Sequence, residues 1–188
     1  YRVDVNSPLE PSSGAFLDDS RLRAIIPTLR TLQNSKVVML GHQSRPGKID
    51  FTNMEQHADR ISRLIGKKVK FVSDICGDEA ISSIKSLKIG EMLFLDNIRM
   101  HEDENSMKKA SLEETAQSEI VRKLSSVIDV YVTDAFAASH RNSPSLTGFY
   151  DSVPCIAGHL MSKEISNLQI AVNDPPRPYI AILGGTKC

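Results

Sequence analysis

Met92-Leu93-Phe94-Leu95-Asp96-Asn97-Ile98-Arg99 is the stretch that decides the fold. Four successive apolar residues, too few for a buried helix, read as a strand covered on both faces, as in a parallel sheet flanked by helices. The polar run that follows at once marks the carboxyl end of that strand. The same pattern recurs in both directions along the chain. Arg2 to Val5 reads as the tail of a strand, Val37 to Leu40 and Val69 to Val72 as buried strands, and Val130 to Val132 and Tyr179 to Leu183 as two more.

Helical periods fill the gaps. Leu22, Ile25, Ile26, Leu29 and Leu32 follow helical spacing behind Ser20 as a cap, with Pro27 demanding a kink or a later start. Thr52-Asn53-Met54-Glu55 reads as a capping box for a helix that Gly66 ends, and Ser111-Leu112-Glu113-Glu114 as a second, opening a helix through Val127. Glu79 to Leu87 and Gly158 to Val172 complete the set. Strands alternating with helices imply βαβ units. The expected fold is α/β, a parallel sheet with helices on both faces in a Rossmann-like three-layer αβα arrangement.

Composition removes several function classes. The 188 residues, 40% of them hydrophobic, suffice for one packed domain and the start of another. Lys plus Arg and Asp plus Glu each total 23, so the basic excess of a nucleic-acid binder is missing and no nucleic-acid partner is expected. No run is apolar and long enough to span a bilayer, so no membrane partner is expected either. Cys76, Cys155 and Cys188 are widely spaced and odd in number, which fits a reducing, cytoplasmic setting. The chain opens on Tyr1, within a strand pattern and without Met, so residues are expected to be missing there. Asn173-Asp174-Pro175-Pro176-Arg177-Pro178 is the clearest linker signal.

Open parallel sheets bind ligands beyond the carboxyl ends of their strands. Those ends carry Asp4-Val5-Asn6, Gly41-His42-Gln43-Ser44-Arg45-Pro46-Gly47, Asp96-Asn97-Ile98-Arg99, and Thr133-Asp134-Ala135-Phe136 with His140-Arg141 just after. Arg45, Arg99 and Arg141, with Arg21 at a helix start, make a site for phosphate or carboxylate, because the guanidinium fork gives bidentate charge-assisted bonds. Singly, each residue reads as a surface or turn residue; their coincidence at one sheet edge is the signal. Gly184-Gly185-Thr186-Lys187 after an apolar strand would let backbone N–H groups and Lys187 approach a phosphate, although it is not a Walker A loop. His101-Glu102-Asp103-Glu104 lacks metal-ligand spacing and reads as a solvated loop, so no metal site is expected. His57 and His159, in helical stretches without an evident partner, read as structural.

Taken in order, these segments resemble the phosphoglycerate kinases, especially the archaeal form. The resemblance rests on Arg2-Val3-Asp4-Val5-Asn6-Ser7-Pro8, Asp18-Asp19-Ser20-Arg21, His42-Gln43-Ser44-Arg45-Pro46-Gly47, Leu95-Asp96-Asn97-Ile98-Arg99, Thr133-Asp134-Ala135-Phe136 through His140-Arg141, and Ala181-Ile182-Leu183-Gly184-Gly185-Thr186-Lys187. It implies reversible phosphoryl transfer between Mg-ATP and the carboxylate of 3-phosphoglycerate, giving 1,3-bisphosphoglycerate and ADP. It also implies roles. Asp4 and Asn6 would hold the substrate hydroxyl, and His42, Arg45, Arg99 and Arg141 its non-transferring phosphate. Arg21 would lie by the reacting carboxylate. Lys187 would stabilise the transferring group, and Gly184 and Gly185 would approach the nucleotide.

The same resemblance assigns residues 1–157 to a 3-phosphoglycerate-binding domain. Residues 158–188 become a linker helix and the first strand of a nucleotide-binding domain that is otherwise missing, so the chain is expected to be a fragment, inactive alone. Asp96 stands where the family has Glu, Met100-His101 where it has a pair with an aromatic, and Thr186 and Cys188 where it has Ala and Val. Two other readings stay open: an anion-binding module without chemistry, and a dinucleotide oxidoreductase. The latter lacks a GxGxxG turn after its first strand.

Overall fold

The computed structural model describes residues 1–182 and 184. Among the described residues five short strands are present: β1 (Val37–Met39), β2 (Val69–Val72), β3 (Met92–Leu95), β4 (Tyr131–Thr133) and β5 (Cys155–Ala157). Around them lie α1 (Ser20–Ala24), α2 (Ile26–Thr31), α3 (Glu55–Ile65), α4 (Asp78–Ser86), α5 (Glu102–Ser106), α6 (Leu112–Ala116), α7 (Glu119–Ser125), α8 (Pro144–Thr147) and α9 (His159–Asn173). β1 and β2 pair parallel to β3 on either side, and β4 pairs parallel to β5.

The amino-terminal residues join these two sheets. Arg2 bridges in parallel to both Leu40 and Thr133. The Arg2 and Val3 amides donate to Val132 and Leu40 at 2.8 and 2.9 Å, and the Leu40 and Asp134 amides donate back to Tyr1 and Arg2, both at 2.9 Å. The resulting order is β2-β3-β1-amino-terminal segment-β4-β5. The chain leaves the amino-terminal segment toward β1 on one side and returns to β4 on the other. In open α/β sheets that reversal marks the carboxyl ends of the central strands as the place of the ligand crevice.

β3 shows why both faces are covered. Met92 and Phe94 pack with Leu22, Ile25, Leu29, Ala58 and Ile61 of α1–α3. Leu93 and Leu95 point the other way, to Ile84 of α4, Ile120, Val121 and Leu124 of α7, and Phe149. Successive strand residues alternate faces, so an all-apolar strand needs helices on both. The three-layer α/β expectation holds. Close packing reaches the crevice: a Cβ on Gly41 would lie 2.8 Å from Phe94 Cζ and 3.0 Å from Val5 Cγ2.

Several elements differ from expectation. The helix behind Ser20 breaks at Ile25, because Pro27 lacks an amide hydrogen and its ring crowds the preceding turn. Asp19, not Ser20, is the cap position of α1, with no side-chain cap bond. The capping box at Thr52–Glu55 does not form. Instead the Met54 amide donates to Asp96 at 3.2 Å and the Glu55 amide to Asn53 at 3.2 Å. The Ser111–Glu114 box does form, but the helix behind it restarts at α7, where the Ser118 hydroxyl accepts from the Val121 amide. β5 was not expected. Tyr179–Ile182, expected as a strand, carry none and are exposed, because none of the described strands offers them a ladder.

Candidate functional site

Four polar segments meet at the crevice. Arg21 Nη1 donates to Asp4 Oδ2 at 2.5 Å, bringing the start of α1 over the amino-terminal segment. Asn6 Oδ1 accepts from the Ser44 amide at 2.7 Å, and Arg99 Nη1 donates to the Ser44 carbonyl. The Ser44 hydroxyl donates to Asp50 at 2.6 Å. Ser44 has φ of 56°, a left-handed conformation that costs a non-glycine residue on the order of 1 kcal/mol. Three bonds from separate segments hold it there. Beneath it the buried Asn97 donates to the carbonyls of Gln43 and Thr52 at 2.8 and 2.7 Å, and its own oxygen accepts from the Arg99 amide. The loop after β1 and the turn after β3 are therefore tied to each other.

His42 sits at the centre, buried, with Nδ1 3.0 Å from Arg2 Nη2. Burial first, then the positive charges of Arg2, Arg141 and Arg21, push its pKa down to about 2. Arg45 lies on the same loop as His42 but is exposed, and its side chain makes no hydrogen bond among the described residues. Arg141 is exposed too, with Nε 3.4 Å from His140 Nε2. The structure therefore holds these residues in three bonded groups, Arg21 with Asp4, Asn6 with Arg99 through Ser44, and His42 with Arg2, and leaves Arg45 and Arg141 exposed. Gly184 is exposed and outside any element. Gly185 and Lys187 lie outside the described residues.

Sequence reasoning missed the layer below. Arg2, read as a strand residue, is almost wholly buried under His42. Glu104, read as part of a solvated loop, is buried and accepts from Ser143 Oγ at 2.8 Å, Ser145 Oγ at 2.7 Å and the Ser145 amide at 3.0 Å. His101 of the same run caps α5 through Nδ1. His57 has a partner after all: its Nε2 lies 3.1 Å from Gln43 Oε1, which also accepts from the Ser7 amide. His159 pairs with Thr31 at 2.8 Å. Both histidines keep the structural role expected of them. Among the described residues no group of three or more His, Cys, Asp or Glu could hold a metal ion.

The two buried imidazoles set a pH dependence. Burial pushes His57 down to about 4, as it does His42 to about 2, so both are neutral when folded and take protons near their ordinary value when unfolded. Below about pH 6.5 the unfolded chain binds more protons, so stability present above that pH is lost as pH falls, by about 1.4 kcal/mol per pH unit for each histidine. Urea midpoints measured from about pH 7.5 to 5 should fall, and His57→Gln should remove one proton from the slope. An unchanged slope in that variant would contradict the buried neutral state.

The family model described as phosphoglycerate kinase matches residues 1–188. The chain is 44% identical over 188 residues to the phosphoglycerate kinase of Methanothermobacter thermautotrophicus, covering 99% of this chain and 45% of that protein. The same figures hold for the enzyme of Methanothermus fervidus. Among solved structures, the phosphoglycerate kinase of Pyrococcus horikoshii OT3 superposes with a TM-score of 0.93 at 42% identity, over 99% of this chain and 45% of that one. That of Coxiella burnetii gives 0.77 at 25% identity, over 98% and 44%. The chain spans less than half the length of these relatives.

Proposed function

The chain belongs to the phosphoglycerate kinase family, and from that premise we propose that its crevice is the 3-phosphoglycerate site of an ATP-dependent phosphotransferase acting on a carboxyl group. The observation that carries this reading is the placement of Arg21, bonded to Asp4, and Arg99, bonded to the Ser44 carbonyl, at the strand ends that also carry the buried His42. Such a site suits a small ligand with two anionic groups, since guanidinium forks bind both carboxylate and phosphate. His42, Arg45, Arg99 and Arg141 hold the non-transferring phosphate in this proposal. Asp4 and Asn6 hold the hydroxyl, and Arg21 lies by the reacting carboxylate.

The chemistry asks little of a base. The carboxylate is already ionised, so its oxygen attacks the terminal phosphorus of Mg-ATP, the bond to ADP breaks, and no proton moves. Catalysis then rests on alignment and on positive charge at the transferring oxygens. Lys187 supplies such charge in this reading, with Gly184 and Gly185 beside the nucleotide. The protein approaches 1,3-bisphosphoglycerate and ADP from the other direction through the same groups. Residues 1–157 are proposed as the substrate domain and 158–188 as the connection to a nucleotide-binding domain. No helix of the described residues is long and apolar enough to cross a membrane, and a cytoplasmic location belongs to the same proposal.

Calorimetric titration tests it. The 188-residue chain is expected to bind 3-phosphoglycerate, to bind Mg-ATP weakly, and to give no steady turnover in a coupled assay. A folded chain that ignores 3-phosphoglycerate would sink the assignment of the site, and turnover by the purified chain would sink the assignment of domains.

A further inference from the structure

We propose that Arg2, oriented by Ser145 and Glu104, is the positioning residue that fixes His42 as a neutral hydrogen-bond donor facing the bound anion through Nε2. The inference rests on the anion-site reading for its purpose, but its geometry stands without it.

Six hydrogen bonds link Glu104 on α5 to the ring of His42. Glu104, buried on α5, accepts at both oxygens from Ser143 and Ser145. The Ser145 hydroxyl hydrogen is therefore directed at Glu104, which leaves its lone pairs for Arg2 Nε, 3.0 Å away. Arg2 Nη1 is anchored on the Val3 carbonyl at 2.5 Å, and Nη2 lies 3.0 Å from His42 Nδ1. A guanidinium has only donors. Its bond to His42 needs a bare lone pair on Nδ1, so the single ring hydrogen of a neutral imidazole sits on Nε2. Protonating His42 would turn Nδ1 into a second donor aimed at Arg2. The direction thus passes from a carboxylate on α5, through a hydroxyl on α8 and a buried arginine between β1 and β4, to the ring in the crevice.

The charged and titratable groups facing His42 all work the same way. Arg2 faces it from the amino-terminal segment, Arg21 from α1, Arg141 from the loop after β4 and His57 from α3. Each disfavours a cationic ring. The positive charge of the site then comes from arginines, which do not titrate, and His42 contributes a donor whose state does not change across the physiological range. Affinity for an anion is insulated from any titration of this residue.

The test is direct observation of the ring nitrogens of His42 by histidine-selective 1H–15N correlation on the 188-residue chain, assigned by loss of the signal in His42→Gln. The expected pattern has hydrogen on Nε2 and none on Nδ1, unchanged between about pH 5 and pH 8. In Arg2→Met burial keeps the ring neutral, but with no donor fixed on Nδ1 it is expected to lose its single tautomer. 3-Phosphoglycerate affinity should fall about tenfold as the ring moves to the Nδ1–H tautomer, which offers the anion no donor at Nε2. Ser145→Ala keeps Arg2 and should give mixed tautomers at neutral pH, so it decides the matter if Arg2→Met does not fold. A His42 that titrates near its ordinary pH in the unaltered chain, or carries its hydrogen on Nδ1, overturns the proposal. The expected ring pattern in a chain that fails to bind 3-phosphoglycerate would uphold the positioning and overturn the substrate reading instead.

Discussion

Arg99→Ala is expected to weaken 3-phosphoglycerate binding by roughly 10- to 150-fold, the loss of about 1.5–3 kcal/mol that accompanies removal of one charge-assisted contact. Arg99 is half-buried and already placed. Its amide is held by Asn97 and its guanidinium by the Ser44 carbonyl, so little side-chain entropy opposes ligand capture. Arg45 and Arg141, exposed at the rim, lose more freedom on binding and should give smaller effects when truncated. Arg99→Lys keeps the charge but not the fork, and should recover only part of the affinity. Calorimetric Kd values for the three alanine variants provide the ranking. Equal, small losses at all three would mean that the site is only a diffuse positive field.

Asp134→Ala is expected to cost about 3–5 kcal/mol of stability, as breaking a buried, hydrogen-bonded charge does. Asp134 is fully buried at the end of β4 and accepts from Tyr1 Oη at 2.6 Å, Thr28 Oγ1 at 2.5 Å and the Met161 amide at 3.0 Å. Thr28 in turn accepts from the His159 amide at 2.9 Å. One carboxylate thus holds α2, the amino-terminal segment and the first turn of α9, where a negative charge also complements the helix dipole. Its removal leaves buried donors without an acceptor. Gly158→Ala attacks the same contact, since an added Cβ would lie 2.3 Å from the carboxylate. The two losses should therefore not add in the double variant. Urea denaturation measures all three, and an Asp134→Ala loss under about 1 kcal/mol would contradict this clamp.

How legible the molecule was depended on the range of the interaction. Met92–Leu95 announces a doubly covered strand locally, because burial of both faces leaves no polar residue in the run. Asp4, Asn6, His42 and Arg99 were legible for a similar reason: each follows a strand directly, so topology alone carries them to one edge. β5 escaped notice because Cys155–Ala157 is a short, exposed edge strand with no alternation to read. Tyr179–Ile182 has the opposite defect, an apolar pattern without a ladder. The Thr52 cap failed because Asn53 takes the Glu55 amide the box needs and Asp96, more than forty positions away, takes the Met54 amide. Arg2 and Glu104 were illegible for the same physical cause. A buried charge is set by partners distant in sequence, and nothing near Arg2 points to His42 or Ser145.

The central claim is that one crevice, at the carboxyl ends of the amino-terminal segment, β1, β3 and β4, receives the phosphorylated substrate. Mapping amide and side-chain chemical shifts during titration with 3-phosphoglycerate tests it most directly. The predicted result is a single set of large perturbations at Asn6, Arg21, His42, Ser44, Arg99 and Arg141, saturating with one affinity. Perturbations centred instead on the separate groove lined by Phe16, Asp19, Gln56, Arg60 and Arg63, or none in a folded chain, would contradict it.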